Sequence, residues 1–261
     1  MAHLSWINSR GTFELFALPY FRERTFPGRQ GRLRSTPLVD SEQSTFESAA
    51  KHQHLDIASR YSNSFDNLDI GLTWFEGTSR EPTFTLGIDQ FGSPVLIPNY
   101  HQIRQLGLDA QFVTGAWLLK SDYYWREGEL NAVSLEEDYF ATVSGFEYIL
   151  FNLFNTSLDV SLMFEGLFDS RNENANVATE KDLFSAFRIT FNDEEDTTLL
   201  LGFFQDLNKS TRNIVFEAGR RVAENIYLEM ESTFFLDIHK LDPQFTLSDD
   251  SYFEIKLLYY Y

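Results

Sequence analysis

The 261-residue chain contains no cysteine. Disulfides therefore play no part in its stability, and a Cys-ligated metal site is excluded. Basic residues are scarce: 21 Lys and Arg stand against 39 Asp and Glu, for a net charge of −18. A surface of that sign argues against nucleic acid as a partner, because phosphate binding needs basic side chains. No apolar run approaches the roughly 18 residues that mark a membrane-crossing helix. The longest candidates, Leu199 to Phe204 and Tyr148 to Leu150, are far shorter. No basic stretch followed by an apolar one opens the chain; Met1 leads straight into A-H-L-S-W-I. Neither G-x-S-x-G nor H-E-x-x-H occurs.

Aromatics are abundant, at 16% with 26 Phe and 12 Tyr, while 23% of residues are charged. That mixture fits strands with one apolar and one polar face. The last eleven residues, S-Y-F-E-I-K-L-L-Y-Y-Y, are the clearest case. Phe253, Ile255, Leu257, Tyr259 and Tyr261 share one face by the period-two rule, and Glu254 and Lys256 take the other. Reading for this alternation between turn signals gives twelve strands, at about 12–20, 54–62, 67–76, 104–114, 116–126, 138–149, 157–168, 182–191, 197–207, 212–221, 225–236 and 250–261. Met1 to Ile7, before the Asn8-Ser9-Arg10-Gly11 turn, reads as part of a thirteenth.

The connections alternate in length. Short ones centre on Ser64–Asp66, Gly115, Asn152–Thr156, Asn192–Asp196 and Ala223–Asn225. Long ones cover about 21–53, 77–103, 127–137, 169–181 and 237–249, with a shorter link at 208–211. A soluble sandwich has no reason to keep long loops at one end and short turns at the other, whereas outer-membrane barrels do so. Strand 116–126 carries aromatics near both ends of one face, Trp117 and then Tyr123 and Trp125. Eight residues tilted near 45° span roughly 19 Å, close to the separation of the aromatic girdles around a lipid-facing band. Tyr61, Tyr148, Tyr259 and Tyr261 are expected in the periplasmic girdle, and Trp74 and Phe140 in the outer one. Ordinary core aromatics of a sandwich are the competing reading.

The terminal strand, ending on Tyr261, resembles the C-terminal assembly signal of Gram-negative outer-membrane β-barrels. Over nearly its whole length the chain resembles their uncharacterised porin-like members, in pattern rather than through a diagnostic motif. The resemblance implies an all-β, antiparallel transmembrane β-barrel of which 12–13 strands are visible. Such barrels carry a leader and normally an even strand count. The chain is therefore expected to be a C-terminal portion of a precursor with about 14 to 18 strands. The resemblance further implies the outer membrane as location, diffusion of a small solute as function, and lipid, lipopolysaccharide and the barrel-assembly machinery as partners, the last through the C-terminal strand. No cofactor is implied.

The face opposite the apolar one is expected to line a lumen. Its acidic members are Asp56, Asp69, Asp109, Asp122, Glu147, Asp159, Glu165, Glu217, Glu229, Glu231 and Glu254. Facing them are Arg60, Lys120, Arg126, Arg188, Arg221 and Lys256. An open pore so lined favours cations; alternatively, the charges pair across strands and stiffen the wall. Arg22, Arg24, Arg29, Arg32 and Arg34 cluster in the first long loop, as an anion-gathering loop or as a solvated one paired to Glu23 and Glu47. His52 and His54 share a face, yet two ligands rarely hold a metal. The acidic turn 193–196 lacks the spacing of a calcium loop. Catalysis is not expected. A non-conducting structural or adhesive barrel acting through its loops, and a hydrolase with a Ser–His pair at its rim, are the alternatives to a channel.

Overall fold

The computed structural model describes residues 1–31, 34–132 and 134–261. Its strands are β1 (Ala2–Asn8), β2 (Gly11–Leu18), β3 (Leu38–Val39), β4 (Thr45–Phe46), β5 (Asp56–Phe65) and β6 (Leu68–Thr78). Then follow β7 (Thr83–Ile88), β8 (Pro94–Tyr100), β9 (Gln102–Thr114), β10 (Trp117–Glu127), β11 (Tyr139–Leu150) and β12 (Asp159–Asp169). The last are β13 (Lys181–Thr190), β14 (Thr198–Asp206), β15 (Arg212–Ala223), β16 (Ile226–Asp237) and β17 (Tyr252–Tyr259). No described helix is long and apolar enough to cross a membrane.

The fold is all-β. Thirteen strands form one antiparallel sheet in the order β1-β2-β5-β6-β9-β10-β11-β12-β13-β14-β15-β16-β17. Each strand pairs with its sequence neighbour except where β3 and β4, or β7 and β8, intervene, so the thirteen strands expected from the alternation are all present. Among the described residues no pairing joins β1 to β17, and the sheet is not closed into a barrel. The short turns use residues that accept positive φ: Asp66 (49°), Gly115 (57°), Asn192 (51°) and Asp196 (55°).

Register keeps the two faces separate. Leu162, Phe187, Leu201, Phe216, Ser232 and Phe253 stand opposite one another in one rung across β12 to β17. The adjacent rung, on the other face, reads Ser161, Arg188, Leu200, Glu217, Glu231 and Glu254. On β2, β5 and β6 the same alternation sets Phe13, Tyr61 and Leu72 beside Glu14, Arg60 and Thr73. A slip of one residue would exchange the faces completely.

The chain packs as two compact units, one of residues 1–111, 121–142 and 169–180, the other of 112–120, 143–168 and 181–261. The first unit holds a feature the alternation did not anticipate. The stretches 21–53 and 77–103, expected as loops, contain a second sheet in which β3 and β4 run parallel to β8 and β7 runs antiparallel to it. Two-residue strands carry no readable period, and Pro94 and Pro98 argue against a central strand. Pro98 is tolerated because it falls between the stretch of β8 paired to β3 (Val95, Leu96) and that paired to β4 (Asn99, Tyr100). No ladder hydrogen bond is required of it on that side.

A small aromatic core holds this loop sheet. Phe21 and Tyr100 are fully buried, their rings 4.9 Å apart, and Phe46 stacks on Tyr100 at 5.3 Å. The Arg80 guanidinium lies 4.7 Å above Phe21. Burial of each large ring stabilises by about 2–3 kcal/mol, and each ring pair adds about 1 kcal/mol.

Candidate functional site

The charged face of the large sheet is the candidate site. In the first unit its centre is a clasp that spans an intervening strand. Arg60 on β5 donates from Nη1 and Nη2 to the two carboxylate oxygens of Asp109 on β9, at 2.6 and 2.9 Å. It also donates to Thr73 Oγ1 on the intervening β6, at 3.0 Å. Gly71 makes the crossing possible: a Cβ there would collide with Arg60 Nη2 and stand 2.5 Å from both Asp109 oxygens. Nearby, a Glu14 carboxylate oxygen lies 2.9 Å from His3 Nε2. Asp69, Lys120 and Asp122 are exposed.

In the second unit the rung of Glu217, Glu231 and Glu254 puts three carboxylates in register on β15, β16 and β17. Like charges directly opposite repel. Lys256 relieves this, with Nζ 2.6 Å from Glu231 and 3.5 Å from Glu254. Glu217, Glu229 and Glu231 line a recess of ≈ 240 Å³ together with Arg188 and Tyr227. Arg188 lies 3.8 Å from Glu147. Arg221 pairs with Asp196 of the turn at 2.9 Å. Glu165 is half-buried on β12.

Three expected lining residues are engaged elsewhere. Asp56 is fully buried where β5 begins: it accepts from the Thr78 amide (2.9 Å) and from Arg80 (2.7 Å), and its other neighbour is the His54 ring (2.8 Å). Arg126, only 9% exposed, bonds Gln105, Glu81 and Glu129 at 2.9, 3.1 and 3.2 Å. Asp159 accepts from the Asn152 amide and the Asn192 side chain, and so fastens a turn. Carboxylates at strand ends, Asp56 and Asp159 here, accept from unpaired loop amides, which period-two reading does not see.

That principle recurs among residues the sequence reading missed. Asp169 accepts from the amide and guanidinium of Arg171, both residues being buried. Asp206 accepts from the amides of Asn208 and Lys209. Asp242 accepts from the Gln244 amide and Thr211 Oγ1. Arg171 lies 3.4 Å above the buried Tyr139 ring. Glu129 accepts from Ser79 Oγ as well as from Arg126. Burial pushes its carboxyl above the ordinary range, with the Arg126 charge opposing. The available signal was an aspartate at the end of a strand followed by turn residues, as in D-S-R-N and D-L-N-K.

The four described arginines of the expected cluster have separate neighbours. Arg22, Arg24, Arg29 and Arg34 are exposed, and Arg32 lies outside the described residues. The Arg24 guanidinium lies 5.9 Å from the Phe26 ring centre, Arg29 approaches Asp89 at 3.8 Å, and Arg34 donates to the Gly31 carbonyl. Glu23 and Glu47, expected as partners of these arginines, engage histidines: Glu23 lies 3.3 Å from His52, and Glu47 3.8 Å from His101. His52 and His54 therefore serve separate carboxylates, and no described group of three or more His, Asp or Glu side chains could hold a metal ion. Thr83 Oγ1 and His101 Nε2 form a hydroxyl–histidine pair at 2.9 Å. Thr83 is buried, so the pair ties the loop hairpin to the start of β9. Burial holds the His101 imidazole below the usual histidine range.

Of the aromatics expected in girdles, Tyr61, Phe140 and Tyr148 are half-buried and the others are exposed. Trp74, Trp117, Tyr123 and Trp125 are each over a third exposed, and Tyr259 and Tyr261 more so. Tyr148 packs against Trp117 at 4.5 Å. No protein-family model, no curated protein and no solved structure matches the chain.

Proposed function

We propose that the chain forms the wall of an outer-membrane, porin-like channel through which small solutes diffuse, with cations favoured. One observation carries the reading: the large sheet exposes an apolar, aromatic-rich face while its opposite face is charged. Leu4, Trp6, Leu106, Ile255 and Leu257 are each more than half exposed. A soluble sheet would cover such a face, whereas in a barrel wall lipid covers it and the charged face meets water. Closure of the wall is part of the proposal, as are outer-membrane lipids, lipopolysaccharide and the assembly machinery as partners. The excess of carboxylates on the charged face supports cation preference.

The test is conductance of the protein in planar bilayers, with reversal potential measured in a salt gradient. Stable cation-selective steps are expected. A folded, heat-modifiable protein that never conducts would sink the channel and favour a structural or adhesive barrel. The second reading has its own support in the loop sheet, which is a built, ion-paired surface element.

A further inference from the structure

The connection between β11 and β12 is the longer of two short turns without charge, the other being that at Gly115. It reads F-N-L-F-N-T-S-L and carries no charge, in a chain of net charge −18. Phe151 is 58% and Phe154 84% exposed. Phe154 adopts φ 56° and ψ 29°, flanked by positive φ at Asn152 and Asn155. A side chain of that size rarely occupies the left-handed region, so the surrounding bonds must impose it.

Those bonds are present. The Leu153 amide donates to the Leu158 carbonyl, and the Asn152 amide to Asp159 Oδ1, at 2.8 and 2.9 Å. Asn192 Nδ2 donates to the Ser157 carbonyl at 2.8 Å, and Ser157 Oγ to the Phe191 carbonyl at 2.9 Å. The turn is thus held rigid by its neighbour while its two rings are left without cover. On the same unit, next to this turn, aromatics already stand on the apolar face: Trp117 packs on Phe146 and Tyr148, and Phe146 stacks on Phe164.

We infer that this turn is a lipid anchor, seating Phe151 and Phe154 in the headgroup–acyl boundary of the periplasmic leaflet. The inference rests on the outer-membrane reading above. Depth favours lipid over a protein partner. Phe151 follows Tyr148 by three residues, about 10 Å of strand, or about 7 Å along the membrane normal at 45° tilt. The interfacial layer on each side of the hydrocarbon is about 5–8 Å thick. A ring starting from the aromatic girdle at Tyr148 therefore still lies within it. The absence of charge fits that layer, and rigid presentation spares the rings an ordering cost on insertion.

The chain has no cysteine, so single cysteines can carry a nitroxide label without further changes. The full chain is refolded into phosphatidylethanolamine–phosphatidylglycerol vesicles as Phe154→Cys, with Phe151→Cys giving a second reading in the turn. Leu162→Cys on the apolar face and Glu224→Cys in another short turn are the references. Labels at 154 and 151 are expected to meet oxygen more than a water-soluble nickel chelate, as at 162 and opposite to 224. Labels at 154 and 151 that behave as at 224, with 162 in lipid, overturn the anchor and leave the membrane reading standing. Water exposure at 162 as well overturns both.

Discussion

Gly71 shows how one atom controls the charged face. Gly71→Ala is expected to drive Arg60 off Asp109, since the new methyl would occupy the space of the clasp. Arg60 and Asp109 are 35% and 40% exposed, so solvent screening keeps the coupling small, about 1 kcal/mol or less. A double-mutant cycle with Arg60→Gln and Asp109→Asn measures it; a coupling of several kcal/mol would contradict the exposed geometry. His101 makes a pH prediction. Its folded-state affinity for a proton is depressed by burial, so the unfolded chain binds the proton more readily. The stability due to neutral His101 is complete above the unfolded value of 6.5 and declines as pH falls below it. Protection factors of β7 and β8 amides, which take out the intrinsic slowing of exchange at lower pH, are expected to fall between about pH 7.5 and about pH 5.5, and His101→Asn should remove that part of the change. The buried Glu129 has the opposite sign: stability present below its unfolded value of 4.5 is lost as pH rises through its elevated folded-state value.

Among elements, the loop sheet and the large sheet depend on different residues. Phe21→Ala empties the centre of the aromatic core, at a cost on the order of 3–5 kcal/mol. Limited proteolysis within 22–50 is expected to accelerate strongly while β-sheet circular dichroism persists; loss of both together would show that the two sheets fold as one. Asp56 ties the elements at their junction, holding the Thr78 amide, His54 and Arg80 at once. Asp56→Ala leaves these donors unanswered and is expected to cost on the order of 3 kcal/mol, read as a shift in the urea midpoint. The strands of the large sheet were readable because each is long enough to show its period. The loop sheet was not: its two shortest strands have two residues each, and β8 is interrupted by prolines whose tolerance depends on where β3 ends and β4 begins.

At the scale of the whole molecule, the charged face decides what the wall would pass. Replacing Glu217, Glu231 and Glu254 together by Gln removes three negative charges from one rung and leaves Lys256 behind. Cation selectivity is expected to fall, with the reversal potential moving toward zero and single-channel conductance persisting. An unchanged reversal potential would mean that the rung does not line the conduction path. The alternation of long and short connections survives in the structure, with the second sheet built entirely from residues at the long-connection ends.

The sequence by itself determined the all-β class, the thirteen strands, and which face of each is apolar, because alternation and turn chemistry are local properties. The tertiary structure alone decided which charges stay on the open face. Asp109 meets Arg60 across an intervening strand through the gap at Gly71, and Asp56 and Arg126 leave the row for buried partners. These pairings join residues far apart in the chain, and a buried charge must find whichever partner the fold brings near. The exposed phenylalanines of the β11–β12 turn likewise acquired meaning only from the backbone that holds them there.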